Sequence, residues 1–221
     1  MGDRRTLRAW ALVHLAILVL AALVFTLWPE IDLAAARFFF QDGRWLASER
    51  AEVEGFRRLA AILVFGTPVV AVLLWLLGRV MGRPAGGRAA IVLALSLALG
   101  PGLIINGVLK EHWGRARPSQ IDEFGRDKIF TPALRPTDQC ERNCSFASGE
   151  AAMGFGLTAL ALVFGRGVWL IPGLVLGTLL ALVRMAAGGH FLSDVIFGGL
   201  IASATGLVVY ALVYRRQAAR E

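Results

Sequence analysis

Charged residues are scarce in this 221-residue chain, at 18%, and they are bunched rather than spread. Between the bunches run uncharged apolar stretches of roughly 20 residues, the length that suits a hydrocarbon core about 30 Å thick. Hydrophobic residues make up 57% of the chain, with a mean hydropathy of +0.63, against roughly 45–50% in a soluble domain. Cysteine is nearly missing: Cys140 and Cys144 stand alone, in one hydrophilic loop. That loop offers too few ligands for zinc. The two thiols are either unpaired or, if the loop faces an oxidising compartment, a local disulfide. No acidic cluster suggests a divalent-metal site, and no cofactor is expected. No nucleic-acid module is visible either, so the net charge of +7 reflects topology and attraction to anionic lipid. Internal repeats and low-complexity tracts are absent, and no obligate protein partner is evident. The length allows one compact helical bundle, residues 1–221, and little else.

What is present is a series of apolar spans. The first runs from Trp10 to Trp28 behind Arg4, Arg5 and Arg8; it is too long for a signal-peptide core and lacks a small-residue cleavage site. Ile31 to Phe40, with Phe38, Phe39 and Phe40 near Asp32 and Arg37, reads as a short interfacial helix. Further spans are expected at Leu59–Leu77, Ala89–Leu109, Ala151–Phe164, Val168–Val183 and Val195–Tyr214. Pro101, between Gly100 and Gly102, should kink the third. The expected fold is therefore all-α: a polytopic membrane bundle of six transmembrane helices with a short interfacial helix.

Orientation follows from basic residues near the span ends. The short turns on the amino-terminal side carry Arg79, Arg83, Arg88, Arg166, Arg215, Arg216 and Arg220, with Asp3 and Glu221 as the only acids on that side. This places both termini in the cytoplasm, although the longer outer loops hold the larger raw number of cations.

Under that topology three polar clusters meet at the outer face. They are Lys110 to Pro118, Cys144 to Glu150, and Arg184 to Asp194. Lys110 and Arg117 are seven apart, so they share a face if the helix continues that far. Two cations there suit an anion, and arginine grips phosphate oxygens bidentately; the alternative is cations snorkelling to the interface. His190 and Asp194 are four apart, stacked on one helical face. A carboxylate bonded to one imidazole nitrogen leaves the other free as nucleophile or base; the alternative is a locally satisfied histidine. Gly188 and Gly189 allow close approach of a ligand to backbone beside Arg184. Ser148, opening the fourth span, is an N-cap or an anion-binding group.

These stretches resemble the type-2 phosphatidic acid phosphatase superfamily, with its pattern Lys-x6-Arg-Pro, Pro-Ser-Gly-His and Ser-Arg-x5-His-x3-Asp. The chain has Lys110, Arg117 and Pro118 intact, and Arg184, His190 and Asp194 intact with Val183 for the serine. Ser148 and Gly149 are kept, while Ala147 replaces the proline and Glu150 the histidine. The resemblance implies a metal-independent hydrolase in which His190 attacks phosphorus to form a phosphohistidine and Asp194 orients and charge-stabilises it. Lys110, Arg117, Ser148, Gly149 and Arg184 would hold the phosphoryl oxygens. The family's second histidine protonates the leaving group. Here Glu150 could do so if buried, His112 could supply the proton, or the leaving group could need little help.

The Ser-Gly-Glu variant is similar to that of some bacterial lipid A phosphatases. The expectation is a phosphatase of the bacterial inner membrane, working at the periplasmic face on a phosphorylated lipid, with lipid A favoured over undecaprenyl diphosphate and phosphatidylglycerol phosphate. Transfer to a second lipid instead of water, and an inactive lipid-phosphate binder or transporter, are the alternatives.

Overall fold

The computed structural model describes residues 4–47, 50–82 and 86–215. Arg83, Arg216, Arg220, Asp3 and Glu221, part of the expected inner charge pattern, lie outside them. Helix α1 (Arg4–Leu27) leads into α2 (Glu30–Phe39) and a two-residue hairpin, β1 (Phe40–Gln41) with β2 (Arg44–Trp45). Helix α3 spans Ala51–Val80. Helix α4 (Gly87–Leu97) passes through a π-helical stretch, Ala98–Leu109, into the short α5 (Lys110–His112). After a long loop come α6 (Gly149–Gly156), α7 (Ala159–Phe164), α8 (Ile171–Ala186) and α9 (Leu192–Arg215).

Five helical stretches are long and apolar enough to cross a membrane: Arg5–Leu27, Ala51–Val80, Gly87–His112, Gly167–Ala186 and Leu192–Tyr214. Leu12, Leu20, Ile62, Leu73 and Leu77 on α1 and α3 are exposed, as side chains facing lipid would be. The fourth expected span is the exception. Gly149–Phe164 is apolar but shorter than the roughly 20 residues a span needs, and a turn at Leu157 and Thr158 divides it into α6 and α7. Its small residues set it among other helices. A Cβ on Gly154 would lie 2.6 Å from the Gly177 backbone, and one on Gly173 2.5 Å from the Thr158 nitrogen. Such positions let backbones touch, and α6 consequently packs on α8 and α9 through Ala151, Ala181, Met185 and Val195.

Two other departures matter for function. Helix α3 starts at Ala51, well before the apolar run at Leu59. Glu52 and Glu54 occupy its first turn, where carboxylates favour the positive end of the helix, and the extension carries Arg57 and Arg58 onto the helix. Around Pro101 the helix continues in π geometry, with Asn106 Nδ2 donating to the Pro101 carbonyl at 2.7 Å. The short helix expected at Ile31–Phe40 is present as α2, and its Asp32 is fully buried.

Candidate active site

The loop between Ala186 and Leu192 presents His190. It precedes α9 and so does not share a helical face with Asp194, as the four-residue spacing had suggested. His190 Nδ1 lies 2.7 Å from the Ser145 carbonyl oxygen. A carbonyl only accepts, so Nδ1 carries the proton and Nε2 presents its lone pair. The nearest Asp194 oxygen is 3.8 Å from Nδ1, too far for a hydrogen bond. The expected direct histidine–aspartate bond is thus replaced by a relay. Ser145 donates its hydroxyl to Asp194 Oδ2 at 2.5 Å and offers its carbonyl to His190. Asp194 Oδ2 also accepts the Phe191 amide at 2.8 Å.

Asp194 is anchored by Arg115, a residue the sequence motif did not single out. Arg115 is fully buried. One of its terminal nitrogens is 2.6 Å from Asp194 Oδ1 and the other 2.8 Å from Asp32 Oδ2. Its Nε donates to the Thr131 carbonyl at 2.9 Å, and the guanidinium carbon lies 4.3 Å from the Phe191 ring centroid. Ser193 joins the group, accepting from Arg115 at 2.9 Å and donating from backbone and hydroxyl to Asp32. Two buried carboxylates thus share one buried guanidinium. Such a cluster holds only while each member keeps its partners.

Lys110 and Arg117 do meet, though by a different route from the expected one. The helix stops at His112. Gly114 turns the chain at φ +71°, where a Cβ would overlap the Thr137 carbonyl. The two cations converge on Asn143: Arg117 donates to its carbonyl at 2.7 Å and Lys110 to its side-chain oxygen at 3.4 Å. Cys140 and Cys144 are disulfide-bonded around it, and the Cys144 amide donates to the Lys110 carbonyl at 2.9 Å.

Arg184 ends α8 against Gly189, where a Cβ would sit 2.4 Å from the guanidinium. Its buried Nε makes no hydrogen bond. Ser148 caps α6, its Oγ accepting the Ala151 amide at 3.4 Å. A Cβ on Gly149 would meet the Asn106 side-chain oxygen at 2.4 Å, so the Asn106 side chain would have to move to admit one. Glu150, expected as the acid, is gripped in a fork by Arg57, Nε to Oε2 at 2.7 Å and NH2 to Oε1 at 2.6 Å. Arg184 Nε stands 3.5 Å from the same Oε1. His112 is exposed and makes no hydrogen bond or ion pair with any of these groups.

Burial pushes the His190 pKa down to about 4, and the nearby positive charges of Arg184 and Lys110 push the same way, against Asp194. The imidazole is therefore neutral around pH 7. Burial also draws the Arg117 pKa below its usual value, opposed by Asp194 and Glu150. No group of three or more acidic, histidine or cysteine side chains placed to hold a metal ion occurs among the described residues. A neutral imidazole nitrogen beside several cations is an arrangement for nucleophilic attack on an anionic, tetrahedral centre.

Residues 89–218 match the PAP2 superfamily. The chain is 35% identical over 219 residues to a lipid A 4'-phosphatase of Francisella tularensis subsp. novicida (strain U112), covering 93% of this chain and 96% of the relative. It is 33% identical over 209 residues to a lipid A 4'-phosphatase of Rhizobium leguminosarum, covering 85% and 88%. A protein of the same name from Rhizobium etli is 41% identical over 119 residues, covering 52% of this chain and 45% of that one. No solved structure gives a significant match. A family match over more than half the chain, together with full-length relatives at this identity, shows that the chain belongs to the PAP2 superfamily.

Proposed function

We propose that this chain is a lipid phosphatase that removes phosphate from lipid A through a phosphohistidine intermediate. The observation that carries the reading is the protonated Nδ1 of His190 on the Ser145 carbonyl, which leaves Nε2 as a neutral nucleophile close to Lys110 and Arg184. His190 attacks phosphorus, and Lys110, Arg117, Arg184 and the Gly149 amide hold the phosphoryl oxygens. Asp194, through Ser145, steadies the imidazole and offsets the charge it gains. Water then attacks the phosphohistidine, returns Nε2 and releases phosphate. Such transfer needs positioning and charge stabilisation above all. Lipid A is favoured because the full-length relatives carry that name.

The site opens at the periplasmic face in this reading, with both termini cytoplasmic and Gly149–Phe164 crossing as a shortened fourth span. Support comes from the basic turns on the amino-terminal side and from a disulfide in the site loop, which suits an oxidising compartment.

The experiment is phosphate release by the purified protein from lipid A, undecaprenyl diphosphate and phosphatidylglycerol phosphate. Release from lipid A by wild type and none by His190→Ala is expected. Preference for either other lipid would reassign the substrate. Phosphate moved to a second lipid would make the protein a transferase, and binding without release would make it a lipid-phosphate binder or transporter.

A further inference from the structure

The Arg57–Glu150 fork borders a cavity of about 460 Å³, walled by Arg50, Glu54, Arg57, Arg184, Ala47 and Ala187. Arg184 belongs both to this cavity and to the phosphate-holding cations. The cavity is therefore the compartment next to the phosphate, on the side of α3. Arg57 is set there by two carboxylates, Glu150 through the fork and Glu54 through NH1 at 2.7 Å. Three of its five N–H groups are used in this way, and two remain. Arg184 Nε is closed off from the cavity and stands 3.5 Å from Glu150 Oε1, so its charge is turned to that carboxylate. The two unspent Arg57 N–H groups, beside the Glu54 and Glu150 carboxylates, suit hydroxyl groups, which both give and take hydrogen bonds, and the small Ala47 and Ala187 leave room for a ring.

We propose that this cavity receives the alcohol half of the substrate, a hydroxylated sugar ring, and that Arg57, positioned by Glu54 and Glu150, stabilises the oxygen that leaves phosphorus. This rests on the phosphatase reading and adds to it a role for Arg57 and a new role for Glu150. In the step, His190 Nε2 forms its bond to phosphorus as the bond from phosphorus to the sugar oxygen breaks. The electron pair stays on that oxygen, facing the Arg57 guanidinium, and a proton from water converts it to the alcohol. Glu150, shared by two guanidinium groups, is an ionised acceptor and not the acid.

The test compares two substrates in one preparation of purified protein: a glucosamine-based lipid phosphate and p-nitrophenyl phosphate. The second has the same phosphoryl group, but its leaving group carries no sugar hydroxyls and departs readily as the phenolate. Arg57→Ala is expected to lower kcat/KM for the sugar phosphate roughly 100-fold, and for the aryl phosphate less than about 10-fold. Arg57→Lys, which keeps the charge, should recover part of the loss. The ratio of the two rates is independent of how much of a variant folds. Equal losses on both substrates, or no loss on either, would overturn the assignment while leaving the phosphatase reading intact; a wild type inactive on both would overturn that reading instead. Glu150→Gln, whose amide oxygen still accepts from Arg57, should keep the wild-type pH profile on the sugar phosphate. Loss of the alkaline limb in that variant would make Glu150 the acid and contradict the proposal.

Discussion

His190 Nδ1 and the Ser145 carbonyl oxygen are 2.7 Å apart, and this contact sets which face of the imidazole reacts. It also makes Ser145, 45 residues upstream, the link between the nucleophile and Asp194. Ser145→Ala keeps the carbonyl and deletes only the hydroxyl bound to Asp194. Loss of one buried hydrogen bond to a charged group costs about 1–3 kcal/mol. Turnover is expected to fall roughly 10-fold or more with KM little changed, read by steady-state kinetics on a soluble lipid phosphate.

The Asp32–Arg115–Asp194 cluster is expected to be a stability element as much as a catalytic one. Arg115→Ala leaves two carboxylates buried without their cation, and breaking a buried pair in this way costs about 3–5 kcal/mol. The variant should melt well below wild type in detergent. Asp32→Asn should show a smaller fall in Tm, because the amide oxygen can still accept from Arg115 or Ser193. Differential scanning fluorimetry with a thiol-free dye checks both.

His190 fixes a pH dependence with a definite sign. Its pKa is held at about 4 by burial, below the roughly 6.5 of an exposed histidine. The unfolded chain therefore binds more protons here between those values. The contribution of His190 to stability is complete above about pH 6.5 and is lost as pH falls towards 4. The nucleophile also stays unprotonated down to that range. Single-turnover phosphorylation of the enzyme at this residue should show its acid limb near pH 4, and a limb near 6.5 would mean a histidine in contact with water.

Asn143 receives both Lys110 and Arg117 inside the loop closed by Cys140 and Cys144. Cys140→Ser with Cys144→Ser frees that loop without touching the histidine. The expected effect is a raised KM with a smaller change in kcat, and the same shift in wild type treated with reductant. Kinetics in the presence and absence of dithiothreitol supply the measurement.

The motif residues were legible in the sequence because charge at the end of an apolar span is costly and therefore conspicuous. Lys110, Arg117, Arg184, His190 and Asp194 stood out that way. Arg115 lies within the first cluster, yet nothing local distinguishes it from Arg117; only the fold buries one and leaves the other facing the site. Asp32 gave a weak signal, as an acid within an apolar, aromatic stretch. Ser145 holds His190 through its backbone carbonyl, which no side-chain pattern reveals. Arg57 was missed because α3 was read from hydropathy, and its polar first turns lie outside the apolar run. Apolarity alone marks the fourth span, whereas its glycines and alanines let Gly149–Phe164 pack between other helices in two pieces shorter than a full membrane span. The histidine–aspartate spacing suggested one helical face, and the start of α9 at Leu192 moved His190 off it.

Covalent catalysis at His190 is the central step of the proposed reaction. Purified protein mixed with excess lipid phosphate should be quenched in alkali within one turnover, digested and examined by mass spectrometry. Phosphate is expected on the peptide carrying His190, stable in base and released by acid, and absent from His190→Ala. Phosphate release at full rate with no labelled histidine, or undiminished turnover in His190→Ala, would contradict it.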